Sequence, residues 1–582
     1  MLLPVLSLLL LSASAEAETP AAFARRIPPR GFNPCNGLQC NMGLLGEQTL
    51  LKLAHAIAAN GMLAANYSWF NLDDGIISHR DNATQQLVAD TAAFPSGTLL
   101  PLATAVNALG LQLGAYTDRG TVTCENRPGA KGYEAQDAAT WASWGVRWLK
   151  EDSCSSSGDF SVAAQEYGAM AAGLRASGQD VFFSLCGWFT GFASFSTLAP
   201  PVGDTWRLGT DVPNMERFLQ NIEAAAAASR FTGPGRGWPD MDMIGGHWSA
   251  PQETLHLAFL ATIGAPLLLS WDVSDPSAST LPLSAYLNPE LLAIHSDDPA
   301  PAVAARGQYY ARIAGGAVTG PASAHSVGLP LDTATPCTDP RAAFSFTSSS
   351  GGNGTLASLA QPGLCLGAWD TWAGACIDAL AVQLTPCGSS SNGCQASAQQ
   401  WAYTASTGLL ASALDWGGGT PRPGPYLTHV GGVPGALYLQ SQAAAAPPPA
   451  GQQPSEAQAW AWQAGAAGGA SISLRSAATG LCLGSPAGGA GVGNVWARWL
   501  AGGDVALLFF NAGLQAAANV TCDAACLGEA LGSEHAQWQA RDVWRQQDAG
   551  LVSVEAGYTA VGLPPQGGTL LLRLTPAASH LL

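Results

Sequence analysis

Val146-Arg-Trp-Leu-Lys-Glu-Asp152 begins apolar and ends on charged residues. A short apolar run of this kind reads as a strand covered on both faces, because such strands lose the alternation of half-exposed ones. Working outward, the same form recurs at 31–32, 69–73, 111–117, 181–186, 206–209, 238–242 and 266–271, at intervals of about 25–45 residues. Helical patterns lie between, as at 50–57 and 218–227. Strand–helix alternation predicts a parallel sheet. Eight units predict an α/β chain whose residues 28–300 form a (β/α)8 TIM barrel. An open doubly wound sheet is the alternative.

The polar residues favour the barrel. Asp73-Asp74, Tyr116 with Asp118, Lys150 with Asp152, Trp188, Arg207 with Asp211, and Asp240 with Asp242 stand at the downstream ends of their runs. Barrels of this kind carry their chemistry at the C-terminal strand ends. Polar groups from six strands converge only if the sheet closes.

The bulk properties narrow the function. At roughly 100–200 residues per domain, the 582 residues suit two to four domains. Hydrophobic residues make up 47% and charged residues 11%, which supplies large cores and excludes a disordered chain. The net charge of -17 argues against a nucleic-acid partner, since phosphate is repelled. The apolar run at 2–11 is too short to span a bilayer and ends in small residues, so residues 1–17 read as a signal peptide. That predicts a secreted protein, extracellular or in a vacuolar-lysosomal lumen. No later run is long enough for a membrane anchor. The 13 Cys suit an oxidising compartment, and their odd number leaves at least one unpaired or joined to another chain. N-x-S/T acceptors begin at Asn66, Asn82, Asn353 and Asn519.

The strand ends offer paired carboxyl groups, one to attack or activate water and one to move a proton. Lys150, Asp152 and Cys154 are two apart and share a strand face. A lysine beside Asp152 keeps a nucleophilic carboxylate ionised; a surface salt bridge is the other meaning of the pattern. Asp211 is a candidate acid/base, or else the N-cap of a helix starting near residue 214. Asp73 and Asp74 suit hydroxyl ligands, since a carboxylate accepts from two at once. Trp188, Trp238 and Tyr116 can stack on a sugar ring or serve only as core. The nine His show no H-x-H or H-E-x-x-H spacing, and no metal cluster is apparent. The G-x-S-x-G, P-loop and C-x-x-C patterns are absent.

Taken in order, these windows resemble glycoside hydrolase family 27, the melibiases, which comprise α-galactosidases and α-N-acetylgalactosaminidases. The resemblance runs over about residues 28–298 and resumes from 495 to the end. It is carried by 65–75 with the double aspartate, by Leu113-Gly-Ala-Tyr-Thr-Asp-Arg-Gly120 with Thr123-Cys124, and by Ala142-Ser-Trp-Gly-Val-Arg-Trp-Leu-Lys-Glu-Asp-Ser-Cys154. The windows 206–211 and 235–244 complete it.

The resemblance implies a retaining exo-glycosidase that releases terminal α-D-galactosyl residues through a covalent glycosyl-enzyme. Asp152 would be the nucleophile and Asp211 the acid/base. Asp73 and Asp74 would hold the galactose 4- and 6-hydroxyls, with Tyr116, Lys150, Trp188, Arg207, Asp240 and Met243 completing the sugar site. It also implies disulfides Cys124–Cys154 and Cys522–Cys526, no metal and no cofactor. Action on α-N-acetylgalactosaminides or β-L-arabinopyranosides is the same-mechanism alternative. A non-catalytic galactose-binding protein is the alternative of a different class.

Three departures bear on the pocket. Cys35 stands where the family usually has a Trp, and Gly75 follows the double aspartate in place of Cys. Cys40 thereby loses its usual partner, and Cys35–Cys40 pairing is the alternative. Gly187 replaces a Glu near the sugar's C2 substituent, which leaves room for an N-acetyl group.

Beyond residue 300 the helical signal fades. Residues 301–334 and 488–582 read as an all-β C-terminal sandwich, with buried runs beginning at Val505 and Thr569. Between them, the Cys/Trp-rich β insertion at 335–487 repeats Gly-Leu-Cys-Leu-Gly at 363 and 480, with Q-x-W at 399 and 458. These words resemble a ricin-type β-trefoil lectin, which needs three repeats where two are seen. A disulfide-stapled insertion in the C-terminal domain is the favoured alternative.

Overall fold

Each of the eight apolar runs carries a strand. The computed structural model describes most of the chain from Arg25 to Ala577; residues 1–24, 188–201, 299–305, 320–331, 578–582, several stretches within 349–493 and a few shorter segments lie outside the described residues. The proposed signal peptide, Trp188 and Asn353 therefore fall outside them. In chain order the strands are β1 (Arg30–Phe32), β2 (Tyr67–Asn71), the side hairpin β3 (Ile77–Arg80) and β4 (Leu87–Ala89), then β5 (Gln112–Asp118), β6 (Trp148–Asp152), β7 (Phe182–Leu185), β8 (Thr205–Arg207), β9 (Trp238–Asp240) and β10 (Leu267–Leu269). The main sheet has the order β10-β1-β2-β5-β6-β7-β8-β9, and every pair is parallel.

The segment after β9 closes this sheet. Ile244 forms a parallel bridge with Leu269; its N–H donates to Leu268 O at 2.9 Å and its carbonyl accepts from Ser270 N at 2.8 Å. Helices Met42–Ala59, Leu100–Ala108, Glu134–Ser143, Phe160–Ala176, Met215–Ala228 and Ala250–Ile263 alternate with the strands. Their ends follow from sequence. Asn41 caps the first, Ser249 and Gln252 form a capping box on the last, and Gly264 ends that helix at φ 70°. Inside the barrel, Trp69, Trp148 and Phe182 pack with ring centroids 4.4–6.0 Å apart. They form an apolar floor beneath the strand ends. Among the described residues no helix is long and apolar enough to cross a membrane.

The C-terminal strands begin with β11 (Tyr310–Arg312) and β12 (Gly316–Thr319). β11 leads a six-stranded sheet and β12 a three-stranded one, both completed by strands from residues 495–576. The barrel docks on this unit through Phe259 against Trp496, centroids 4.8 Å apart. Buried Arg498 also donates to Ala261 O at 2.7 Å and His295 O at 3.2 Å.

The intervening residues hold β13 (Asp332–Thr335), β14 (Phe344–Ser348), β15 (Gly354–Ser358), β16 (Leu364–Ala368), β17 (Val382–Pro386), β18 (Trp401–Thr404), β19 (Leu409–Ser412), β20 (Tyr426–His429), β21 (Leu437–Gln440), β22 (Trp460–Ala464), β23 (Ser471–Ser476) and β24 (Cys482–Gly484). Pairing recurs every four strands. Hairpins β14·β15, β18·β19 and β22·β23 each return to a third strand, and β16·β17, β20·β21 and β24·β13 join the units. This is the connectivity of a β-trefoil. Cys337–Cys482 ties its two ends together, and Cys365–Cys387 lies within it. Three repeats are present in the pairing, but each sequence word occurs in only two of them. β14 opens on Phe344 where β18 and β22 open on Trp401 and Trp460, and β20 has Tyr426 at the place of Cys365 and Cys482.

Candidate active site

The C-terminal strand ends converge as closure requires. Asp152 ends β6 and is buried. Its Oδ2 accepts from the Tyr116 hydroxyl at 2.8 Å and its Oδ1 from Ser153 N at 2.8 Å. Tyr116 pairs with Lys150 and Asp118 with Asp152 across adjacent parallel strands, so all four point into the barrel mouth.

Lys150 Nζ donates to Asp73 Oδ2 at 3.1 Å and lies 5.0 Å from the Tyr116 ring centroid. The two side chains are only 19% and 7% exposed, so this is no surface salt bridge. Burial works against the lysine's charge, but Asp73 and Asp152 more than offset it and raise its pKa. Asp73 Oδ2 also accepts from Asn33 Nδ2 at 2.9 Å, and Asn33 Oδ1 accepts from Cys35 N at 3.0 Å. Asp74 is held differently. Its oxygens accept from Gly75 N at 2.6 Å and Glu125 N at 2.8 Å, yet burial still raises its pKa.

Cys35 is bonded to Cys40, and Gly75 (φ 80°) leaves space that the Asn41 side chain fills. Two departures are thus one local rearrangement. Cys124 is bonded to Cys154 beside Asp152, and Cys522 to Cys526 in the sandwich. Cys186 is free and buried, 3.7 Å from Arg207 Nη1.

On the far wall, Arg207 Nη2 lies 3.1 Å from Asp211 Oδ1 and 3.2 Å from Asp242 Oδ2. Burial opposes the Arg207 charge, but Asp242 and Asp211 outweigh it and raise its pKa. The Asp211 side chain is 82% exposed and stands at the rim. It does not cap the next helix, because Asn214 accepts from Arg217 N at 3.0 Å in that role. Asp242, in left-handed backbone at φ 74°, accepts from Val212 N at 2.8 Å and Met243 N at 2.9 Å. It therefore anchors both Arg207 and the chain just after Asp211.

A cleft between these walls is lined by Asn33, Asn71, Lys150, Ser184, Arg207 and Asp240, with Asp242 and Met243 alongside. Sequence reasoning left Asn33, Asn71, Ser184 and Asp242 out of the site. Asp242 was signalled by its i+2 spacing from Asp240, whereas nothing distinguished the two asparagines. Asp118 also belongs here. It is fully buried, accepts from Gly120 N at 2.6 Å and Cys154 N at 2.7 Å, and burial together with the Asp152 charge pushes its pKa up to about 8. Donor atoms of Asp118, Cys124, Asp152 and Cys154 lie within 4.8 Å of one another. Because the two sulfurs are bonded together, that group offers two carboxylates and no thiolate to a metal.

A family model described as alpha galactosidase A matches residues 35–297, and one for the alpha galactosidase C-terminal beta sandwich domain matches 491–574. A probable alpha-galactosidase of Dictyostelium discoideum is 36% identical over 275 residues, covering 46% of this chain and 68% of that protein. Alpha-galactosidase A of Cellvibrio japonicus is 33% identical over 309 residues, covering 51% and 73%. The crystal structure of alpha-galactosidase I from Mortierella vinacea superposes with a TM-score of 0.55 at 19% identity, covering 97% of this chain and 99% of that one. At such identity the likeness is one of fold.

Proposed function

The chain belongs to the melibiase family, glycoside hydrolase family 27, and on that premise we propose that it is a retaining exo-α-galactosidase. Asp152 attacks the anomeric carbon of a terminal α-D-galactosyl residue as Asp211 gives a proton to the departing oxygen. Water, deprotonated by Asp211, then releases the sugar from Asp152.

The observation that carries this reading is the setting of Asp152. Tyr116 Oη and Ser153 N, each at 2.8 Å, fix both oxygens of a carboxylate at a barrel strand end. A fixed carboxylate needs no reorientation before attack. Asp73, with Asn33 and Lys150 already on Oδ2, suits a hydroxyl ligand. Asp211, exposed but tethered to Arg207, can reach both leaving group and water.

Trapping with an activated fluorosugar of the galacto series, then mapping the labelled peptide, tests it. The expected label is on Asp152. A turning-over enzyme labelled on another residue overturns the assignment. Gly187, a buried position without a side chain, favours one second reading, in which an α-N-acetylgalactosaminide also fits. Parallel assays on the two nitrophenyl glycosides compare them. Passage through the secretory route accords with the five disulfides among the described residues.

A further inference from the structure

Asn71 ends β2 one inward-facing position below Asp73 and is 4% exposed. Neither atom of its amide has a hydrogen-bond partner among the described residues, and the same holds for Arg207 Nε. Both residues line the cleft, with Ser184 beside them. Beneath them is the apolar floor of Trp69, Trp148 and Phe182. The amide's space comes from Gly114, where a Cβ would overlap the Asn71 side chain.

Buried polar groups are almost always hydrogen-bonded, so an orphan at a cleft floor marks where a ligand atom goes. A floor of indole and phenyl rings cannot satisfy an amide. We propose that Asn71, together with Arg207 Nε, forms the hydrogen-bonding floor of the sugar site and binds one hydroxyl oxygen of the glycone. The inference rests on the galactosidase reading and adds a specificity residue to it. An amide both donates to and accepts from a hydroxyl, and a glycone lacking that hydroxyl leaves it unpaired.

The test measures kcat/KM of the parent, Asn71→Ala and Asn71→Asp on nitrophenyl α-galactoside and its 2-, 3-, 4- and 6-deoxy analogues. On the full sugar, Asn71→Ala is expected to lose about 10–100-fold. On one deoxy analogue the loss shrinks to about 3-fold or less, because the partner is already gone. Asn71→Asp, which keeps the size of the side chain, is expected to lose rate most on the full sugar and least on that same analogue, and it carries the test should the alanine variant not fold. Equal losses on all five substrates mean a packing or water-holding role and overturn the contact alone. A parent that turns over no α-galactoside overturns the galactosidase reading and this inference with it.

Discussion

Asp118 and Asp152 stand opposite each other on adjacent parallel strands, with carboxyl oxygens inside a group spanning 4.8 Å. Two anions so close repel, and burial keeps water from screening them. Asp118 holds its proton up to about pH 8.

Stability should therefore fall with rising pH over that window. The unfolded carboxyl ionises near pH 4. Between there and about 8 the folded chain holds a proton that the unfolded chain lacks. The stabilisation is complete below the unfolded pKa and is lost as pH rises to the folded one, at up to about 1.4 kcal/mol per pH unit. Asp118→Asn should flatten the decline in Tm between pH 5 and 8. An unchanged slope assigns the decline to other groups.

Tyr116→Phe removes the 2.8 Å hydrogen bond to Asp152 Oδ2. A hydrogen bond to a charged group contributes about 1.5–3 kcal/mol, so kcat/KM should fall about 10–100-fold. The fold should survive, because the ring remains. Rates within 3-fold of the parent would show that the Tyr116 hydroxyl is not needed to orient the carboxylate.

Asp211→Ala should reveal its role through leaving-group dependence. An acid is needed in proportion to the basicity of the departing oxygen. Natural galactosides should lose about 10²–10⁴-fold, and a dinitrophenyl galactoside far less. Azide should restore turnover by replacing the deprotonated water and yield galactosyl azide. The side chain is exposed at the rim, so Tm should hardly change. Equal losses on both leaving groups would exclude the acid role.

What the sequence revealed follows from where the physics is local. The eight strands were legible because a sheet covered on both faces leaves runs such as Leu267–Leu269. The charged walls were legible because barrel chemistry collects at strand ends. Asn33 and Asn71 were not, since an asparagine at a strand end looks the same whether it meets a ligand or a backbone. The threefold repeat of the insert was hidden because one unit has Phe344 in place of the Trp and another has Tyr426 in place of the Cys, so each marker occurs only twice. Only strand pairing makes them equivalent.

Glu151 conflicts most with local expectation. It lies between Lys150 and Asp152 but faces the opposite side of β6, fully buried, and neither carboxyl oxygen has a partner among the described residues. Burial, then the charge of Asp118, pushes its pKa well above the ordinary range, against the opposing effect of Arg119. Glu134 and Glu166 act in the same direction as Asp118. Burial thus disfavours the charged form and leaves the carboxyl unsatisfied, which costs about 1–3 kcal/mol. Glu151→Met fills the volume without a polar group and should raise Tm. The gain should be larger at pH 8 than at pH 5, because the unfolded glutamate gives up its proton above about pH 4.3 and the buried one only at higher pH. The Lys150–Asp73 and Tyr116–Asp152 contacts on the other face should be undisturbed, so kcat/KM should stay within about 3-fold. A variant less stable at both pH values would mean that Glu151 is satisfied by a group beyond its described neighbours.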